Sequence, residues 1–299
     1  MNKILIAGAD GNIGSYLLNV LSNNYSVKAL VRNLKDQQNN RYAINLLCQE
    51  DVLLFANNYE GCDILIFLVG LAHKKGRGKE LKEFRALNKQ TLVNILSAFD
   101  KYNKLPKKII FSSTISVYGQ RLGENIYKEN DTTSPISPYA VTKLEAEKYL
   151  LDNYKDKSFI LRLAPVYSNN FHLNINRRIE FFNINYQVGK GLNKISMCNV
   201  ENIALVVKGI INEQVPNDIY NISDAITYSY KDLQSWSKAS FFVTIPELFI
   251  KIIYVFGCLI KNIFLMENMV KLISTNLFPS EKIQKYVDLS TNLNDCEYL

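Results

Sequence analysis

"KILIAGADGNIG", Lys3 to Gly14, decides how the rest of the chain is read. A short apolar run ends in three glycines spaced three apart, Gly8, Gly11 and Gly14, and "IGSYLLNVLSNN" continues with helical spacing. The order is strand, tight turn, helix. Gly8 permits the turn, Gly11 leaves the backbone open to a pyrophosphate, and Gly14 lets the helix pack close on the strand. The helix start offers free N–H groups to phosphates. A plain glycine-rich turn is the alternative. The position directly behind a strand and at the head of an α/β pattern favours a dinucleotide.

Working outward, apolar runs alternate with helix-period segments. "YSVKALVR", "AINLLCQ", "CDILIFLVG", "KKIIFSS" and "SFILRLAPV" read as further strands, while Leu81–Tyr102 and Tyr139–Tyr154 read as helices. "CDILIFLVG" is apolar throughout, as a central parallel strand covered on both faces should be. The repetition predicts an α/β fold, a doubly wound parallel sheet with helices on both faces. The regularity fades after Tyr167: "SNNFHLNINRR" reads as loop, "DIYNIS" as a short strand, and apolar helices follow. The expected domains are 1–168 and a smaller lobe, 169–299, with 199–225 returning to the first.

Composition excludes several classes. The chain has 299 residues, 47% hydrophobic and 21% charged, with a formal net charge of +7. That profile is globular. The positive residues are scattered rather than run together, which argues against nucleic acid; an anionic small molecule and an anionic membrane surface fit the sign equally. The five cysteines form no C-x-x-C pair and the two histidines, His73 and His172, are few, so neither a disulfide framework nor a metal site is expected. A reducing cytoplasm follows. "MNKILIAGADG" reaches glycine too soon for a secretory signal. The stretch 241–266 is very apolar but broken by Glu247, Lys251, Lys261 and Asn262. It is too interrupted to span a bilayer. Buried helices of the second lobe are the first reading, a weak membrane-surface contact the second.

"SPYAVTK" places Tyr139 and Lys143 four residues apart behind Pro138. On a helix they share one face, and proline suits the helix start. A phenol needs its pKa near 10 lowered to work as an acid/base at neutral pH, and an ammonium one turn away would do that.

With the glycine turn and "YAVTK" in one chain, the sequence resembles the extended short-chain dehydrogenase/reductase family, and within it the nucleotide-sugar epimerase/dehydratase/reductase branch. "FSSTISVYG" (Phe111–Gly119) resembles the family's fifth-strand segment, and its third hydroxyl residue is Thr114. "LNKQT", "QEDV", "NVENIA", "IYNISD" and "FPSEKIQK" resemble further family segments. The resemblance implies a Rossmann-type domain with a smaller substrate-binding lobe, and catalysis by Thr114, Tyr139 and Lys143. It implies cofactor contacts at Gly8, Gly11, Asn12, Ile13, Gly14, Arg32, Asp51, Val52, Val69, Gly70, Asn88, Ser112, Tyr139, Lys143, Ala164 and Pro165. Substrate contacts fall on Thr114, Tyr139, Arg177, Arg178 and Lys194.

The chain departs from the family at several points. "FLVG" (Phe67–Gly70) replaces H-x-A-A. Pro165 stands where the best-known epimerases carry a substrate-binding asparagine. The arginine expected before "NVENIA" to grip the substrate diphosphate is missing, as is the family's late arginine, with Arg177, Arg178 and Lys194 as substitutes. Arg32, with no acid beside it, ends the second strand and leans towards NADP(H) over NAD(H). Arg32 and Pro165 together point to a 4-keto-sugar reductase of surface polysaccharide assembly, acting on a UDP-4-keto-6-deoxy-hexosamine-type sugar. A UDP-sugar 4-epimerase that keeps NAD bound is the alternative, and a non-catalytic dinucleotide-binding regulator is the alternative of another class. A nucleotide-diphosphate sugar is the expected partner, and a homodimer stays open.

Overall fold

A computed structural model describes residues 2–32, 40–71, 80–237 and 241–296. Along the chain run β1 (Lys3–Ala7), α1 (Asn12–Ser22), β2 (Ser26–Val31), β3 (Arg41–Ala43), α2 (Gln49–Asn58), β4 (Ile64–Phe67), α3 (Glu80–Arg85), a π turn (Ala86–Gln90), α4 (Thr91–Lys101) and β5 (Lys108–Thr114). Next come β6 (Glu124–Ile126), α5 (Pro138–Tyr154), β7 (Ser158–Leu163), β8 (Val166–Tyr167), α6 (Leu173–Ile179), β9 (Glu180–Phe181), β10 (Ile184–Val188), β11 (Lys194–Ile195) and β12 (Cys198–Asn199). The chain continues through α7 (Val200–Ile211), β13 (Ile219–Ile222), β14 (Tyr228–Ser229), α8 (Tyr230–Trp236), β15 (Val243–Ile245), α9 (Glu247–Leu259), α10 (Ile263–Ile273) and β16 (Thr275–Leu277).

Two compact units divide these elements. One holds Met1–Thr114, Pro138–Arg162 and Val207–Ile219; the other holds Ile115–Ser137, Leu163–Val206 and Tyr220–Leu299. This division is finer than the expected 1–168 and 169–299: 115–137 and 163–168 fall in the second unit, and 207–219 in the first.

The first unit is organised by the run β7-β5-β4-β1-β2-β3 of a seven-stranded sheet of order β13-β7-β5-β4-β1-β2-β3, with parallel pairings joining β3, β2, β1, β4 and β5. The two-residue period of a strand sends Leu5, Ala7, Leu65, Phe67, Ile109 and Phe111 to one face, where Val52 and Ala56 of α2 and Leu92, Ile95, Leu96 and Phe99 of α4 cover them. Ile4, Ile6, Ile66 and Ile110 are buried as well. With both faces covered, the central strands must be apolar throughout, the pattern read from the sequence.

The second unit is built from short strands, in sheets of order β14-β11-β16-β6, β15-β10-β9 and β12-β8. Tyr167, Ile175, Ile179, Met197, Tyr228 and Leu233 form its apolar core. A carboxylate pins that core. Asp224 accepts bonds from the Tyr167 hydroxyl at 2.7 Å, the Tyr228 hydroxyl at 2.8 Å, the Asn199 backbone N–H at 2.7 Å and the Asn202 side chain at 2.8 Å. "NVENIA" and "IYNISD" are therefore brought together as a buried knot. Desolvation pushes the Asp224 pKa up while the four donors pull it down.

Four segments differ from the sequence reading. "SNNFHLNINRR" contains helix α6 rather than loop alone. "AINLLCQ" contributes strand only to Ala43, and its end opens α2. The helix expected over Leu81–Tyr102 is interrupted by the π turn, because Asn88 turns inward to bond outside the helix. The apolar helices near the C-terminus are not wholly buried: α9 and α10 pack on each other yet expose large apolar side chains.

Candidate active site

The glycine turn has the geometry that its residues predict. Gly8 sits at φ +87°, and a Cβ there would meet the Val69 nitrogen at 3.0 Å. A Cβ on Gly14 would lie 2.3 Å from the Gly8 carbonyl oxygen. Gly8 and Gly14 are thus required by the fold itself. Gly11 is different. It caps α1 in extended backbone (φ −76°), and a Cβ there would meet only the Gly8 oxygen, at an ordinary 3.4 Å. The protein alone would tolerate a side chain at position 11, so the open cradle over this helix start fits a group that approaches the backbone. Asn12 is exposed and Ile13 half-buried beside it. Asp10, in the same turn, pairs with Arg41 of β3 at 3.2 Å. Arg32 is exposed just past β2, Asp51 is exposed on the first turn of α2, and Val52 is packed into the core, so its side chain is structural.

The second cluster in this unit is Thr114, Tyr139 and Lys143. Helix α5 starts at Pro138 and puts Tyr139 and Lys143 on one face, while Thr114 ends β5. Thr114 is buried and its side chain hydrogen-bonds the Tyr139 phenol. Lys143 is 1% exposed. Its Nζ donates to the carbonyl oxygen of Ser112 at 2.8 Å and of Val69 at 3.3 Å, and lies 4.7 Å from the centre of the Phe111 ring. Gly70 makes room for it: a Cβ there would meet Lys143 Nζ at 3.1 Å and Asn88 Oδ1 at 3.3 Å. Asn88, fully buried, accepts from the Leu71 backbone N–H at 2.6 Å and donates to the Thr142 hydroxyl at 2.9 Å, tying the loop after β4 to α5. The residues expected around the cofactor at 69, 70, 88, 112 and 143 thus lie together, Lys143 bonded to Val69 and Ser112 and Gly70 packed between Lys143 and Asn88. His73 lies outside the described residues.

Within the protein itself, the lowering expected of the ammonium is outweighed by burial. Desolvation pushes the Tyr139 pKa up, and the Thr114 hydrogen bond draws it down. Desolvation also drops Lys143 from 10.5 to about 7, with Glu147 opposing. A lysine with its pKa so low is only partly charged near neutrality and exerts a weaker pull on the phenol.

Beneath Lys143 lies a buried ion pair that the sequence reading did not name. Glu147, one further turn along α5, is 1% exposed and Arg162 of β7 is 4% exposed, with Arg162 Nη2 donating to Glu147 Oε2 at 2.8 Å. Arg162 Nε lies 3.2 and 3.3 Å from the two carboxylate oxygens, and the Ser113 hydroxyl donates to Oε1. A signal was present: an arginine inside the apolar strand "FILRL" needs a buried partner, and 139, 143 and 147 share one helical stripe.

The second unit carries its own small hollow, about 20 Å³, lined in part by Ile115, Gln120, Pro165, Arg178, Ser196, Lys271 and Ser274. Of the substrate residues expected in this unit, Arg178 lines it. Exposed Lys194 and exposed Arg177 do not, whereas Ile195 and Ser196, next to Lys194, do. Lys271 of α10 was not foreseen, because nothing local ties it to Arg178. Desolvation lowers the pKa of both cations, Glu267 pulls Lys271 back up, and Arg178 and Arg177 lower Lys271 further by repulsion. Among the described residues neither cation forms an ion pair with a carboxylate. Ser274 is 3% exposed and its hydroxyl has no partner, nor has the Gln120 carbonyl. Two desolvated cations with a spare hydroxyl make a receptor for an anion.

The fold and the glycine cradle define a protein of the Rossmann-type, dinucleotide-binding class. The chain belongs to the NAD dependent epimerase/dehydratase family, whose model matches residues 4–223. It is 32% identical over 197 residues to the "Uncharacterized UDP-glucose epimerase YtcB" of Bacillus subtilis (strain 168), covering 55% of this chain and 57% of that relative. It is 27% identical over 251 residues to the "UDP-glucose 4-epimerase" of Vibrio cholerae, covering 74% of this chain and 70% of that protein. The fold is that of the UDP-glucuronic acid 4-epimerase of Bacillus cereus in complex with NAD, with a TM-score of 0.72, 20% identity, and 99% of this chain and 95% of the other covered.

Proposed function

We propose that this protein is an NAD-dependent epimerase acting at a hydroxyl-bearing carbon of a UDP-sugar. The observation that carries the reading is the Thr114–Tyr139–Lys143 set. A dinucleotide-binding regulator needs no proton donor, whereas an alcohol-to-ketone interconversion needs one beside the reacting oxygen. The named relatives are UDP-glucose epimerases and support the epimerase over the reductase.

Gly8, Gly11 and the start of α1 would hold the pyrophosphate of NAD, and Asn88, Gly70 and Lys143 would frame the nicotinamide side. When bound, that cofactor supplies the hydride acceptor and donor. The chain's own groups do the rest. Tyr139 takes the proton from the sugar hydroxyl and later returns it. Thr114 hydrogen-bonds the same oxygen and keeps it in line with the phenol. Lys143 sets the charge beside the phenol, held by the carbonyls of Ser112 and Val69. In the second unit, Arg178 and Lys271 supply cationic charge of the kind that the absent family arginines leave missing.

A second reading, an NADP(H)-dependent 4-keto-sugar reductase, is favoured by Arg32 exposed at the end of β2 and by Pro165. One experiment separates them. The purified protein is denatured, the released dinucleotide identified, and fresh protein incubated with UDP-glucose, UDP-glucuronic acid and UDP-N-acetylglucosamine, with each scored for its C4 epimer. Retained NAD and a C4 epimer support the epimerase. An empty site, no epimer, and NADPH consumption on a UDP-4-keto sugar establish the reductase. Lys271→Met should raise KM for the UDP-sugar far more than it lowers kcat.

A further inference from the structure

We propose that the α9–α10 hairpin is an interfacial anchor that seats this protein on an anionic lipid surface. Helix α9 is apolar on both sides. Its inner side meets α10, with Ile250 buried and a Cβ on Gly257 only 3.1 Å from the Leu265 side chain. Its outer side carries Leu248, Phe249, Ile252, Val255, Phe256 and Leu259, all between 55% and 76% exposed. The positions repeat at three and four residues, a continuous stripe along the helix. The stripe runs on round the turn, where Ile260 is 50% and Phe264 62% exposed. Together these side chains leave on the order of 1,000 Å² of apolar surface in water, beyond the few hundred that monomers usually show.

Helices α9 and α10 have 13 and 11 residues, roughly 20 and 17 Å of length against a hydrocarbon core of about 30 Å. No helix among the described residues is long and apolar enough to cross a membrane. The hairpin can therefore lie along an interface and dip its tip, but not span.

Charge selects the occupant. Exposed Lys190 and Lys231 lie on segments beside the start of α9: Gly189 abuts Glu247, and the Lys231 N–H donates to the Gly191 carbonyl. Lys251 stands on α9 and Lys261 at the very turn of the hairpin. Against them stand Glu247, which pairs with Lys251 at 3.7 Å, Asp232, engaged in the cap of α8, and half-buried Glu267 of α10, whose charge acts on Lys271. A second copy of this chain would bury Lys261 inside an apolar contact, facing its own twin if the two tips met, where an unpaired charge is costly. On a bilayer the same lysine extends to the phosphates while Leu259 and Phe264 enter the acyl boundary.

The test is vesicle co-sedimentation of the full chain, with vesicles of phosphatidylcholine alone and of phosphatidylcholine mixed with phosphatidylglycerol. Expected is pelleting with the anionic vesicles that weakens as salt rises, and little with neutral ones. Leu259→Ser/Phe264→Ser removes two exposed side chains and should weaken partitioning by tenfold or more, with circular dichroism and turnover in vesicle-free buffer unchanged. Lys261→Glu should weaken binding to anionic vesicles only. Wild type left in the supernatant with anionic vesicles overturns the proposal. So does a wild-type dimer by light scattering that the Leu259→Ser/Phe264→Ser variant splits, which would make the occupant a second copy. Binding independent of lipid charge overturns the anionic selectivity.

Discussion

Glu147→Gln removes one charge and almost no volume from the ground beneath Lys143. Glu147 and Arg162 are 1% and 4% exposed and 2.8 Å apart at their closest. Unit charges about 4 Å apart attract by about 4 kcal/mol at an effective dielectric constant of about 20. Neutralising one partner of a buried pair costs about 3–5 kcal/mol, because the other charge stays desolvated. At roughly 2 °C per kcal/mol for a chain this long, Tm should fall by about 6–10 °C. A second effect runs through Lys143. Glu147 is the charge that opposes its desolvation, so without it the Lys143 pKa falls below about 7. Any activity that needs the ammonium then loses its alkaline limb at lower pH. Urea denaturation and a kcat-against-pH profile read the two effects. Glu147→Leu with Arg162→Met should recover stability, since an apolar pair replaces an ionic one, but should not restore the pH profile. A loss under about 1 kcal/mol with an unshifted profile would refute the reasoning. A double variant no more stable than Glu147→Gln would refute the desolvation account.

Tyr139→Phe should keep the fold and dinucleotide binding and lose most turnover, checked by kcat against the identified UDP-sugar; wild-type rates would remove Tyr139 from its role. Gly11→Val should abolish dinucleotide binding in calorimetry while Tm changes little, because a Cβ there meets only the Gly8 oxygen at 3.4 Å; unchanged affinity would contradict a pyrophosphate over Gly11. Arg32→Ala should weaken NADP(H) by roughly tenfold to a hundredfold, the loss of one hydrogen bond to a charged group, and leave NAD(H) unaffected; equal affinities for both cofactors in the wild type would take Arg32 out of cofactor choice. Burial lowers Lys143 from 10.5 to about 7, so between those values the unfolded chain holds a proton that the folded chain has released, and stability should rise with pH across that window. Lys143→Met should remove that rise, read as the urea midpoint at neutral and at alkaline pH; an unchanged slope would show that Lys143 is not its source.

Local periodicity was enough for the first unit. Strand β4 and the Ile4–Ala7 body of β1 had to be apolar because the parallel sheet covers both of their faces. The glycine spacing announced the turn because Gly8 needs φ +87° and Gly14 has no room for a Cβ. Tyr139 and Lys143 were legible because four residues make one helical turn. What depends on distant segments was not legible. Asn88 looked like part of a helix, yet it leaves the helical pattern to bond Leu71 and Thr142, 17 and 54 residues away in sequence. Arg178 and Lys271 come to one cavity from α6 and α10, and no local pattern marks lysine as a partner for arginine. The direction of the Tyr139 pKa needed the fold too. Sequence supplied a nearby ammonium, but burial desolvates the phenol and lowers the lysine's pKa, and only packing sets that burial. The stretch 241–266 shows the same division. Its sequence states that the helices are apolar, but which side of α9 meets α10 and which meets solvent is decided by how the two helices pack at Gly257.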